Sequence, residues 1–112
     1  MKLELLWSKN GEEFILGVLE KENEEYVFKL DETGLKSAVR KGCVGIGNFD
    51  LMRLEYRSKE LFPFFQNRIP SRNNINIQEI LKEFNMNEYD EMQLLKYTEA
   101  EKATDNYYMK EV

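Results

Sequence analysis

Lys2-Leu3-Glu4-Leu5-Leu6-Trp7-Ser8-Lys9-Asn10-Gly11-Glu12-Glu13-Phe14-Ile15-Leu16-Gly17-Val18-Leu19 decides the fold class. Leu3, Leu5 and Trp7 alternate with Lys2, Glu4 and Leu6, the period of a strand that turns one face to a core. Asn10-Gly11 then supplies the pair that favours the positive φ angles of a tight hairpin turn. Past the turn, Phe14 to Leu19 is apolar on both faces, as a central strand requires. Glu20 to Glu25 is a polar turn, and Tyr26-Val27-Phe28-Lys29-Leu30 continues the pattern, so the expectation is a three-stranded antiparallel meander.

Outward from the meander, Asp31 is placed to cap a short helix over Glu32 to Arg40, with Thr33, Gly34 and Val39 as weak helix formers inside it. Gly42, Gly45 and Gly47 mark an irregular connection, and the alternation of Leu51-Met52-Arg53-Leu54-Glu55-Tyr56 predicts a fourth strand. Near residue 57 the pattern changes. Pro63 is suited to start a short helix over 63–69. Ile77, Ile80, Leu81 and Phe84 fall at i, i+3, i+4 and i+7, and Asn76 with Glu79 resembles a capping box, predicting a helix over 74–84 with Phe84 on its core face. A further helix over 88–97 would be capped by Asn87 and bury Met92 and Leu95, with Asp90 and Glu91 in its first turn. Thr104 through Met109 suits a closing strand. The fold class is therefore α+β: one domain over 1–112, strand-rich over 1–57 and helix-rich over 58–112, with a small, mostly antiparallel sheet against three or four short helices.

Composition narrows the function. At 112 residues and 42% hydrophobic, the chain has enough apolar mass for one core. Its 16 basic and 21 acidic residues leave a net charge of −5, which opposes approach to nucleic acid or an anionic membrane. A lone Cys43, no secretion-like start and no apolar run long enough for a bilayer lead to the expectation of a soluble cytoplasmic protein. The absence of histidine removes the commonest general base and transition-metal ligand, and leaves Cys43 without an activating partner, so it reads as a small buried hydrophobe. Lys41-Gly42-Cys43-Val44-Gly45-Ile46-Gly47 lacks the Lys-Ser/Thr and the strand-then-helix context of a phosphate loop. Glu88, Asp90 and Glu91 lack the spacing of a calcium loop. The expectation is a protein that is not an enzyme and has no cofactor and no metal. Arg53, Arg57, Arg68 and Arg72, with Phe and Tyr nearby, would suit a single-strand binding surface, but the net charge weighs against it.

The least generic stretch is Ser58-Lys59-Glu60-Leu61-Phe62-Pro63-Phe64-Phe65-Gln66-Asn67-Arg68-Ile69-Pro70-Ser71. It resembles the Pro-Phe-Phe-x-Asn-Leu-Leu-Pro element in the amino-terminal subdomain of HipA-type serine/threonine kinases. Leu16-Gly17-Val18-Leu19 and Tyr26-Val27-Phe28 are similar to the strands that precede that element. The run through Arg72 also resembles a Leu-Phe-Pro-Phe-Phe-x-Asn-Arg-Ile/Leu-Pro-Ser-Arg region found ahead of HIRAN domains, where a later segment is similar to Leu94 through Asp105 but carries glycines missing here. The resemblance implies an accessory α/β module that packs on a kinase body, with phosphoryl transfer assigned to other domains. Some split toxin–antitoxin systems encode such a module separately, a HipS-like protein that binds and restrains a shortened kinase, and a chain of this length looks like that arrangement. The expected partner is thus a protein, a HipA-like kinase, and the alternative is a nucleic-acid-associated accessory module related to HIRAN-containing proteins. Interface anchors are enriched in aromatic and Arg side chains. Phe64, Asn67, Arg68 and Arg72 are accordingly the expected partner-binding residues, with Phe62 and Phe65 largely structural.

Overall fold

The computed structural model describes Met1–Val112. Five strands, β1 (Lys2–Lys9), β2 (Glu12–Glu22), β3 (Glu25–Leu30), β4 (Glu55–Ser58) and β5 (Tyr107–Glu111), form one antiparallel sheet in the order β4-β3-β2-β1-β5. The helices are α1 (Glu32–Arg40), α2 (Pro63–Gln66), α3 (Ile77–Glu83) and α4 (Glu91–Thr98). The α+β class and the meander stand as expected, and the closing strand is present but runs over Tyr107–Glu111, starting three residues after Thr104. None of the helices is long and apolar enough to cross a membrane.

The Asn10-Gly11 turn has φ of 52° and 84°, so both residues occupy the left-handed region that a two-residue hairpin needs. The β1/β2 register shifts between Leu5 and Leu6, leaving Leu16 as the extra residue on β2. That bulge receives α1: Leu16 O accepts from Asp31 N at 2.9 Å. A Cβ at Gly34 would lie 1.8 Å from Ile15 O, so only glycine lets α1 approach the strand this closely. Asp31 Oδ1 accepts from Gly34 N at 2.8 Å, the expected cap. Next along β2, a Cβ at Gly17 would sit 2.7 Å from Phe28 Cζ of β3, so the missing side chain makes room for the Phe28 ring.

The core lies between the sheet and the helices, built from Leu3, Leu5, Leu16, Leu19, Phe28 and Met109 of the sheet with Phe65 and Leu95 of α2 and α4. Four sequence expectations shift, the first being α2, which spans Pro63–Gln66 and not 63–69. The fourth strand is Glu55–Ser58, not 51–56: Leu51 has φ of 58° and breaks the extended run, and Asp50 Oδ1 ties the turn by accepting from Met52 N at 3.0 Å. α3 is shorter than 74–84 and its capping box does not form: the Asn76 side chain caps no N–H, and the Asn76 N–H donates to Asn74 Oδ1 at 2.8 Å, not to Glu79. Of its apolar face only Leu81 is buried, while Phe84 stays half-buried, stacked parallel on Tyr97 at 5.8 Å. Finally, α4 is capped by Asp90, whose side chain accepts from Gln93 N at 3.1 Å, and not by Asn87.

Candidate docking site

Pro63 occupies the first helical position of α2, where its missing N–H costs nothing, and the single turn fans the neighbouring rings in different directions. Phe65 points into the core, fully buried, at 5.3 Å from Phe28 and 6.4 Å from Phe49. Phe62 leans on Phe49 at 5.3 Å and remains half-buried. Phe64 turns the other way, edge-on to Tyr107 at 5.3 Å. Gln66 Nε2 donates to Leu61 O at 2.7 Å and ties the turn to its own entry.

Two hollows flank this turn. One, of about 240 Å³, is an aromatic groove between Gly47, Phe49, Phe62, Phe64 and Asn67. Gly47 has φ of 49° and a Cβ there would lie 2.9 Å from Phe64 Cδ1, so the loop can pass the ring only as glycine. The other, of about 390 Å³, is polar and lies between Asn67, Ile69, Arg72, Tyr89 and Glu91. Asn67, exposed, forms the rim common to both. Arg72, also exposed, lies over the Tyr89 ring at 4.5 Å, and Tyr89 is fixed beneath it by donating from its hydroxyl to Pro70 O at 2.7 Å. Burial, together with the Glu91 carboxylate, raises the Tyr89 phenol above its ordinary value, so it remains a neutral donor. At the floor of the polar hollow Glu91 Oε1 accepts from Tyr26 OH at 2.7 Å.

Arg68 does not belong to this surface, which corrects its assignment as an exposed contact. Its side chain is only 3% exposed. Nη1 and Nη2 donate to the two Asp105 carboxylate oxygens at 2.9 and 2.6 Å, while Nε donates to Ala100 O at 2.6 Å and Nη2 also to Tyr107 O at 3.1 Å. The guanidinium lies beside the paired Phe64 and Tyr107 rings, at 5.2 and 5.5 Å from their centroids. Its flat, fixed fork fastens the segment after α2 to the strand β5, and no buried side-chain N or O is left without a partner.

Of the four residues named from sequence, Phe64, Asn67 and Arg72 therefore come together at the surface and Arg68 supports them from below. Sequence reasoning missed Phe49 and Tyr89. Phe49 follows a glycine-rich loop with no periodicity to place it, although it meets Tyr56 edge-on at 4.9 Å and walls the groove. Tyr89 was read as the start of a helix, whereas it precedes the cap and turns to Arg72.

Cys43 Sγ is buried, 3.6 Å from Gly45 O and 3.7 Å from Tyr107 OH, with no base near it. No group of three or more acidic or thiol side chains is close enough to hold a metal ion. What the surface offers is an aromatic slot, an amide and an exposed guanidinium.

The family model of the HipA N-terminal domain matches residues 11–103. The chain belongs to the HipA N-terminal domain family. No curated protein and no solved structure matches it. The matched span contains α2, both hollows and Arg68, while β1 and β5, which pair with each other, lie wholly outside it. In this member of the HipA N-terminal domain family, the surface beside α2 is built from the matched residues and braced by a strand beyond them.

Proposed function

We propose that this chain is a non-catalytic interaction module, an antitoxin-like cytoplasmic regulator that binds and restrains a HipA-type serine/threonine kinase. The observation that supports this reading is the aromatic groove beside α2, with Phe64 on its wall, Asn67 on its rim and the Tyr89-backed Arg72 next to it, in a chain of the HipA N-terminal domain family. Aromatic and Arg side chains held on a rigid platform lose little freedom on binding and make strong anchors. The net charge of −5 disfavours nucleic acid as the occupant.

Titrating the purified chain into a HipA-type kinase from the same source, with binding read by calorimetry and kinase activity by autophosphorylation, tests the reading. A saturable complex with lowered phosphorylation is expected, weakened by Asn67→Ala and Arg72→Ala. No binding, or binding without loss of activity, rejects restraint of a kinase; an affinity for RNA or DNA that falls steeply with salt would replace it with the nucleic-acid module.

A further inference from the structure

The two edges of the sheet are finished differently. At β5 three of the outward main-chain groups, those of Tyr107 and the Met109 N–H, are taken up within the chain: Met109 N donates to Glu99 O at 2.7 Å, Tyr107 N to Asp105 Oδ1 at 3.2 Å, and Tyr107 O accepts from Arg68 at 3.1 Å. At β4 they are not. Leu30 N donates to Leu54 O at 2.9 Å, and the register sets Phe28 opposite Tyr56 and Tyr26 opposite Ser58. Residues 54, 56 and 58 thus exchange hydrogen bonds with β3, and Glu55 and Arg57 aim their N–H and C=O groups away from the sheet. No strand, turn or cap of the chain receives those groups.

An open edge is a template for one more strand, and the side chains on it select which. Tyr56 faces the core, whereas Glu55 and Arg57 stand on the outer face, both substantially exposed. An antiparallel strand suited to them carries a basic residue opposite Glu55 and an acidic residue opposite Arg57, so along its own direction it reads acidic-x-basic. Glu55-Tyr56-Arg57 itself reads acidic-x-basic.

We propose that β4 pairs with β4 of a second copy of this chain about a two-fold axis at Tyr56, joining the two sheets edge to edge. Glu55 of each copy then lies opposite Arg57 of the other, and these two residues exchange main-chain hydrogen bonds in both directions. Charge picks this register: an axis at Glu55 or at Arg57 would set like charges against each other. Within one chain Arg57 contacts Glu55 at 2.8 Å and Glu22 at 3.6 Å, exposed pairs that contribute little and are readily exchanged for the cross-strand pair. Leu54, 57% exposed just ahead of β4, falls opposite Ser58 of the second copy and adds apolar area to the contact.

Sedimentation velocity of the whole chain over a concentration series, at an ionic strength that screens its net charge, reads the association. Dimer formation is expected with half-association at or below about 1 mM, and amide exchange at Glu55 and Arg57 slows as concentration rises. Glu55→Arg and Arg57→Glu should each weaken self-association at least about tenfold, because each sets like charges opposite in both halves of the contact. An equimolar mixture of the two variants, and the double swap Glu55→Arg/Arg57→Glu, should restore it. A chain that stays monomeric at about 1 mM, single variants that associate like the parent, or a mixture that fails to re-form the dimer overturns the proposal. So does pairing of β4 with a strand of a different protein while the chain itself remains monomeric.

Discussion

Arg68 holds Asp105 by two parallel hydrogen bonds, 2.9 and 2.6 Å long, across 37 residues of sequence. The same guanidinium carries two main-chain carbonyls, those of Ala100 and Tyr107. Arg68→Ala would strand a carboxylate and both carbonyls at once, so a loss of about 3–5 kcal/mol is expected in urea unfolding. Arg68→Lys should recover only part of it, because a point ammonium cannot reproduce the fork. A loss below about 1 kcal/mol would show that the clamp carries little of the stability.

The hydrogen bonds from Arg68 hold the Asp105 carboxyl below the usual aspartate range. A depressed folded pKa means that the unfolded chain binds more protons, so this contribution is complete above the ordinary aspartate pKa and is lost as pH falls through the lower folded value. Thermal melts between about pH 5 and pH 2 should show a steeper decline for the parent than for Asp105→Asn. Parallel declines would assign the acid sensitivity to other carboxylates, such as Asp50, which is held low by the Tyr56 hydroxyl.

Phe65, inside α2, and Phe84, at the C-cap of α3, should respond differently to truncation. Phe65 is wholly buried among Phe28, Phe49 and Phe64, and Phe65→Ala should cost about 3–5 kcal/mol. Phe84 is half-buried against Tyr97, and Phe84→Ala should cost about 1 kcal/mol. Denaturant melts of the two variants side by side check the order.

Gly34→Ala reverses the ordinary helix rule. Alanine inside a helix usually stabilises by about 1 kcal/mol over glycine. Here the added methyl would meet Ile15 O at 1.8 Å, a main-chain atom of the β2 bulge that cannot step aside. Destabilisation of about 1–3 kcal/mol is expected, read as a lowered urea midpoint, and an unchanged midpoint would show that α1 can lift from the strand.

Arg72→Ala separates docking from folding. Arg72 is exposed and its one structural contact is the Tyr89 face, so the melt should move by no more than about 0.5 kcal/mol. If the surface beside α2 holds the kinase, the same change should weaken the complex by about 1 kcal/mol or more in calorimetry.

The sequence by itself determined the meander, its Asn10-Gly11 turn, the Asp31-capped α1 and the Pro63 start of α2, because each depends on neighbours a few residues apart and on chain stereochemistry. It also marked residues 61–72 as distinctive, and the family match spans that stretch. Tertiary structure alone decided which of those residues reach the surface. Arg68, Asn67 and Arg72 look equivalent in sequence, but the carboxylate that draws Arg68 inward arrives from the loop before β5. Tyr89, which holds Arg72 outward, comes from the loop before α4. The start of β4 was hidden for the same reason: Leu51 to Tyr56 alternates as a strand would, but pairing begins only where β3 supplies a partner. Burial and pairing depend on what the rest of the chain brings close, and a local pattern carries no record of that.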